Sequence, residues 1–138
     1  MQDFRKLDVW ARAHDLTVQL HRATDRPADR GCPGLRAEMQ REAASIPAAI
    51  AEGCGHASQT EFGRFLQRAI ASSQALQYHL LLAHDLHLLP SAAYARLDAR
   101  TSQVRQMLIA LLKRVRAPHR APHRAPPARP QRVTRSAT

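Results

Sequence analysis

Apolar residues recur at steps of three and four along most of this chain, with polar residues filling the opposite side. That period is the mark of amphipathic helices. Residues 3–24 predict the first. Asp8, Arg12, Asp15, Gln19 and Arg22 share a solvated stripe with favourable Asp–Arg neighbours. Val9, Trp10, Ala13, Leu16, Thr17 and Leu20 cover the other side. "DRPADRGCPG" then interrupts the pattern with two prolines and two glycines, which predicts a connection.

A second helix is expected from Gly34 or Leu35 to about Gly53. Its apolar positions, Leu35, Met39, Ala43, Ile46 and Ile50, keep phase across Pro47, whereas a turn there would reset them. Pro47 is therefore expected inside a kinked but continuous helix. It removes one amide donor and crowds the carbonyl of Ala43, at a cost of about 3 kcal/mol in an ordinary helix interior. Ser45 is a candidate to cap the loosened turn, with Gly53 and Gly55 as the stop.

"SQTE" at 58–61 has the form of a capping box, Ser58 at the N-cap and Glu61 three residues on. The third helix is expected to run to Leu88 or Leu89. Its buried stripe is Phe62, Phe65, Leu66, Ala69, Ser73, Leu76, Leu80, Ala83 and Leu86 or His87. Pro90 ends it, and Ser91 is the expected N-cap of the fourth. There Tyr94, Leu97, Thr101, Val104, Leu108, Leu111 and Val115 alternate steps of three and four, a heptad seam. Met107, Ile109 and Leu112 widen the apolar surface, so this helix either sits deep in its bundle or meets another subunit, and the second is the expectation. Helix one and this widened face are the expected subunit contacts. Four such helices predict an all-α, up-down-up-down four-helix bundle over residues 1–116, with left-handed crossing.

Composition agrees. The chain has 138 residues, 44% of them hydrophobic and only 4% aromatic, so its core must be aliphatic. No apolar run reaches the ~18 residues of a membrane span. The N-terminus "MQDFRKLDVW" lacks the apolar core of a secretion signal. A cytoplasmic protein is expected, with Cys32 and Cys54 as free thiols.

Charge changes the picture. The formal net charge is +10, and half of that excess lies in residues 117–138, which hold five arginines and no acid. This stretch repeats Ala-Pro-His-Arg, has little to bury, and is expected to be a disordered, partly polyproline-II tail. Nearer the bundle, Arg64 and Arg68 are four apart, as are Arg96 and Arg100. Lys113, Arg114 and Arg116 lead into Arg120 and Arg124. Arginine forks match phosphate geometry, and clustered positive charge gives salt-sensitive binding indifferent to sequence. Those nine residues are the candidate nucleic-acid contacts. The sequence shows no aromatic interleaving among them, so base stacking is not expected.

Other chemistries find less support. His84 and His87 are three apart, with His79 and Asp85 near in sequence, and His14 and His21 are seven apart. Neither Glu-x-x-His nor His-Glu-x-x-His occurs, so these histidines read as surface polar groups; no metal or cofactor is expected. There is no Gly-rich phosphate loop and no G-x-S-x-G elbow. Cys54 near His56 is a weak nucleophile–base pair on paper. Glu52, placed against the dipole of a helix C-terminus, reads either as a surface acid or as one with a specific partner, a salt bridge to a neighbouring subunit or the cap of a turn. The expected function is non-enzymatic.

Four segments together resemble a known family: "FRKLDVWARAHDL" (4–16), "GLRAEMQREAASIPAAIAEGCG" (34–55), "EFGRFLQRAIASS" (61–73) and "LQYHLLLAHDL" (76–86). They are similar to the small four-helix-bundle proteins first noted as products of intervening sequences within bacterial 23S ribosomal RNA genes. The resemblance spans roughly residues 4–115. Ser45, Ile46, Pro47, Ile50, Ala51, Glu52 and Gly53 match the family's SIP-x-NIAEG signature, and a proline-containing second helix is a family trait. The resemblance implies a homopentameric, barrel-like assembly. A related accessory protein of diversity-generating retroelements binds nucleic acid and a reverse transcriptase. The implied partners are therefore nucleic acid, RNA foremost, with a nucleic-acid enzyme docked on a protein scaffold as the alternative. Ala49 stands where the family has Asn, Ala71 replaces Gly, Ala75 and Gln77 replace Glu, and His56 replaces Arg. The roles of those family residues do not carry over.

Overall fold

The computed structural model describes residues 2–25, 32–56 and 58–117. Arg120, Arg124 and the remainder of the expected tail lie outside them, as does most of the 25–34 connection. A one-turn 3-10 helix, Phe4–Lys6, precedes four α-helices: α1 (Asp8–Thr24), α2 (Pro33–Cys54), α3 (Gln59–Asp85) and α4 (Ser91–Arg116). There is no strand among the described residues. Each helix packs on its neighbours in sequence and α1 closes on α4, so the four form a ring around one core. The chain start, the end of α2, the start of α3 and the end of α4 share one pole, which we call the basic pole. There the Gln2 amide donates to the Cys54 carbonyl at 3.0 Å.

The apolar stripes face inward as their spacing demands. Leu16 and Leu20 of α1, Ile46 and Ile50 of α2, Leu66, Leu76 and Leu80 of α3, and Leu97, Val104 and Leu108 of α4 are fully buried. Ala49, at the family's Asn position, is also in the core and leaves no polar group to satisfy. Buried Ser73 and Thr101 donate to the carbonyls of Ile70 and Leu97 in their own helices. Asp15, expected to serve its own helix, reaches Arg100 of α4 at 2.6 Å and also accepts from Gln19.

The second helix is unbroken through Pro47, which is buried. Proline leaves the Ala43 carbonyl without its helical amide. The Thr17 hydroxyl of α1 lies 2.9 Å from that carbonyl and 2.9 Å from the carbonyl of Ala13. Its single proton can serve either one, and only Ala43 has lost its helical donor. Ser45, the expected cap, donates instead to the Glu42 carbonyl at 2.7 Å.

Several boundaries differ from expectation. The first helix is split because Leu7 is extended, with the Asp3 carboxylate capping the Arg5 amide of the 3-10 turn. The second helix begins with Pro33 in its first turn, where the missing amide costs nothing, and runs to Cys54. Gly53 is therefore inside the helix and not its stop. It is buried, and an added Cβ would stand 2.8 Å from Phe62 Cδ2 and 2.9 Å from Phe65 Cβ. Glycine here lets α2 approach α3.

The third helix stops at Asp85, short of the expected Leu88. His87 takes φ 60°, its amide donates to the His84 carbonyl, and the Leu88 amide donates to the Ala83 carbonyl at 2.8 Å. That pair of bonds is a Schellman closure with histidine in the left-handed position usually given to glycine. Leu86 and His87, expected in the buried stripe, are consequently exposed, while Leu89 turns into the core. Ser58 does cap α3, accepting from the Glu61 amide at 3.3 Å, but Glu61 turns to Arg64 instead of completing the box. Ser91 is the first residue of α4, not its cap. Pro90 holds the cap position, and the Ser91 hydroxyl meets His84 Nε2 at 3.3 Å.

Candidate nucleic-acid interface

The described candidate arginines and lysine fall into two groups. Arg64 pairs with Glu61 at 3.0 Å, Arg68 with Glu52 at 3.5 Å, and Arg100 with Asp15. Their charges are partly answered within the chain. Glu52 thus finds its partner in Arg68 of α3 without a second subunit. Arg96, Lys113, Arg114 and Arg116 are exposed and have no ion-pair partner among the described residues.

The sequence missed Lys6. It lines a groove of about 350 Å³ with Arg114, over a floor that includes Leu7, Val9, Met107 and Leu111; Asp8 also lines it. A second groove at the same pole runs from Gln2 and Gln59 past Phe62 to Arg114, Val115 and Ala117. The end of α4 therefore brings Arg114 beside the chain start, while Arg116, in the same last turn, lies toward Gly63 of α3 and Lys113 is exposed. More than a hundred residues separate Lys6 from Arg114 in the chain, so no local spacing could have joined them. The unanswered candidates thus cluster at the basic pole, except Arg96, which lies near the start of α4.

Aromatic rings also occupy this region. Phe4 lies against Trp10 with centroids 4.9 Å apart, and His14 stacks on Trp10 at 5.1 Å with planes 4° apart. The Arg5 guanidinium sits over Phe4 at 4.7 Å. Where α2 meets α3, His56 stacks on Phe65 at 4.9 Å and Arg68 sits over the same ring at 5.3 Å. Sequence separation hid the second stack, since its members belong to different elements. The i, i+4 spacing of Trp10 and His14 was a signal for the first.

The remaining histidines spread along the bundle. His21 donates to the Thr17 carbonyl, and His84 lies against Tyr94 with centroids 4.4 Å apart. His79 reaches across to Glu42 of α2, its Nδ1 donating at 2.7 and 2.8 Å to the two carboxylate oxygens. No group of three or more metal-ligating side chains forms among the described residues. Cys32 and Cys54 are unpaired thiols at opposite ends of α2, about 30 Å apart by helical rise. Burial, with Asp3 adding to it, pushes the Cys54 thiol up and opposes its ionisation. Exposed His56 turns to Phe65.

Glu42 is a buried acid on the apolar stripe of α2. Its position three residues after Met39 was the signal for burial. Burial raises its pKa, outweighing the hydrogen bond and charge of His79; Glu38 adds to the rise and Arg41 opposes it. A raised pKa means the folded state holds the proton more tightly than the unfolded chain. The resulting stabilisation is full below the unfolded value near 4.5 and is lost as pH rises through the higher folded value. Glu42→Gln keeps an acceptor for His79 and removes the buried charge. It is expected to match or exceed wild-type stability at pH 7, its advantage shrinking as pH falls toward 4.5. Urea unfolding across that range reads the difference; an advantage that grows toward acid would refute the account.

Comparison with known proteins places the chain. A family description, 23S rRNA-intervening sequence protein, matches residues 5–110. Among solved structures, a protein of unknown function from the S23 ribosomal protein family of Bacteroides thetaiotaomicron has a similar fold. The TM-score is 0.71 at 18% identity, covering 76% of this chain and 95% of that one. No curated protein matches.

Proposed function

The chain belongs to the 23S rRNA-intervening sequence protein family, and from that premise we propose that it is a non-enzymatic, homo-oligomeric bundle that binds nucleic acid, RNA foremost, through phosphates. The observation that supports this reading is the cationic pole, where Lys6, Lys113, Arg114 and Arg116 have no acidic partner among the described residues. A charge already paired to a carboxylate must give up that pair to hold a phosphate. Lys113, Arg114 and Arg116 have none to give up. The tail arginines Arg120 and Arg124 continue this surface in sequence. In a pentamer five such poles would add their weak affinities.

No helix among the described residues is long and apolar enough to cross a membrane, and the proposed setting is the cytoplasm.

The test is fluorescence anisotropy of a labelled structured RNA across a salt series. Lys113→Gln/Arg114→Gln/Arg116→Gln is expected to weaken binding at least about tenfold and to flatten the salt dependence by roughly one contact per residue replaced. Arg64→Gln/Arg68→Gln should change it far less. Equal losses in the two variants would move the site onto the bundle flank. No binding by the full chain at low salt would remove the reading altogether.

A second reading, a scaffold that docks a nucleic-acid enzyme such as a reverse transcriptase, has its own support. Tyr78 is 60% exposed and Leu81 43%, with Ile109 also open to solvent on the α3–α4 side. Apolar surface of this kind suits a protein partner. Its binding would resist salt and survive loss of the tail.

A further inference from the structure

The two stacks near the basic pole carry more than core packing requires. Phe4, Trp10 and Phe65 are each partly buried against the bundle. His14 and His56, the outer plates, are exposed, and neither side chain has a hydrogen-bond partner among the described residues. The His14 imidazole lies parallel on the Trp10 indole, 4° apart, and the His56 imidazole lies at 30° to the Phe65 ring, and each exposed imidazole offers a flat π-surface. A guanidinium lies near each stack, Arg68 over Phe65 itself and Arg5 over Phe4, whose ring is tilted 60° to Trp10. Those arginines hold exposed acids, Asp3 at 3.8 Å and Glu52 at 3.5 Å. The imidazole faces offer a plate for the base, and Lys6 and Arg114 of the basic pole, which have no ion-pair partner among the described residues, offer charge for the backbone phosphates.

We propose that His14 and His56 are seats for unpaired nucleobases, and hence that the ligand of the basic pole is single-stranded nucleic acid and not a duplex. The proposal rests on the phosphate-binding reading and adds its substrate class. Duplexes keep their bases in the stack and could engage only the cations. A single strand could lay one base on the α1 stack and another on the α2–α3 stack while its backbone follows Lys6 and Arg114. Stacking of this kind accepts every base, so little sequence preference is expected.

The chain's one tryptophan is Trp10, directly beneath His14. The experiment titrates the full chain with an oligouridylate of about 12 nucleotides, a matched RNA duplex and inorganic polyphosphate, following tryptophan fluorescence and anisotropy together. The single strand should quench Trp10 to saturation, while polyphosphate binds without quenching. His14→Lys and His56→Lys retain or add positive charge and remove the plate. Each is expected to weaken single-strand binding about five- to a hundredfold without weakening polyphosphate binding. If both variants bind the single strand as tightly as wild type, or if duplex and single strand bind alike without quenching, the stacking proposal falls and phosphate binding stands. If no polyanion binds at low salt, both fall.

Discussion

Gly53→Val is expected to destabilise the bundle by about 3 kcal/mol or more, and Gly53→Ala by roughly half as much, read by urea unfolding. The physical reason is distance. The alanine Cβ would stand 2.8 Å from Phe62 Cδ2 and 2.9 Å from Phe65 Cβ. A ring can swing, but the Phe65 Cβ moves only with the backbone of α3, so the two helices must part. Helix propensity works the other way, favouring alanine over glycine by about 1 kcal/mol. The steric term exceeds that gain, which is why alanine remains a net loss. Valine adds two methyl groups at the same place and a stiff β-branched rotamer. Disturbing Phe65 also disturbs His56 and Arg68, which lie on its ring. A Gly53→Ala protein as stable as wild type would show that the close approach of α2 to α3 is not held there.

Thr17→Val is expected to cost about 1–3 kcal/mol, since it is nearly isosteric and leaves the Ala43 carbonyl without a donor. Thr17→Ser should retain most of the stability. The decisive experiment is the double-mutant cycle with Pro47→Ala. Alanine at position 47 restores an amide to the Ala43 carbonyl, so the hydroxyl of Thr17 is no longer needed. The cost of Thr17→Val is then expected to fall well below its wild-type value, a coupling of about 1 kcal/mol or more. An unchanged cost in the Pro47→Ala background would mean that the hydroxyl serves Ala13 alone. Pro47→Ala itself gains helix propensity and loses buried ring surface, and the cycle separates these from the hydrogen bond.

Periodicity and local chemistry are properties of the chain, and they determined much here by themselves. The four helices, the inward faces of α1, α2 and α3, the Ser58 cap and the passage of α2 through Pro47 all follow from the order of residues. Each depends on interactions within a few turns, which sequence spacing describes directly. Family membership was also legible, because the signature around Pro47 lies within one helix. The stop of α3 was not. Leucines continue the apolar pattern past Asp85, but His87 adopts a left-handed conformation that spacing alone does not announce.

Only the tertiary structure decided which polar groups meet. It gave the Ala43 carbonyl a donor from α1, turned Gly53 from a stop into a point of close approach, and joined Glu42 to His79. Among cations chosen alike by sequence, it paired Arg64, Arg68 and Arg100 with acids and left Lys113, Arg114 and Arg116 without ion-pair partners among the described residues at the end of α4, with Arg114 lining a groove beside Lys6. The reason is the same throughout. A helix sets the neighbours three and four residues away, whereas a hydrogen bond or an ion pair between helices depends on how their axes, registers and ends come together.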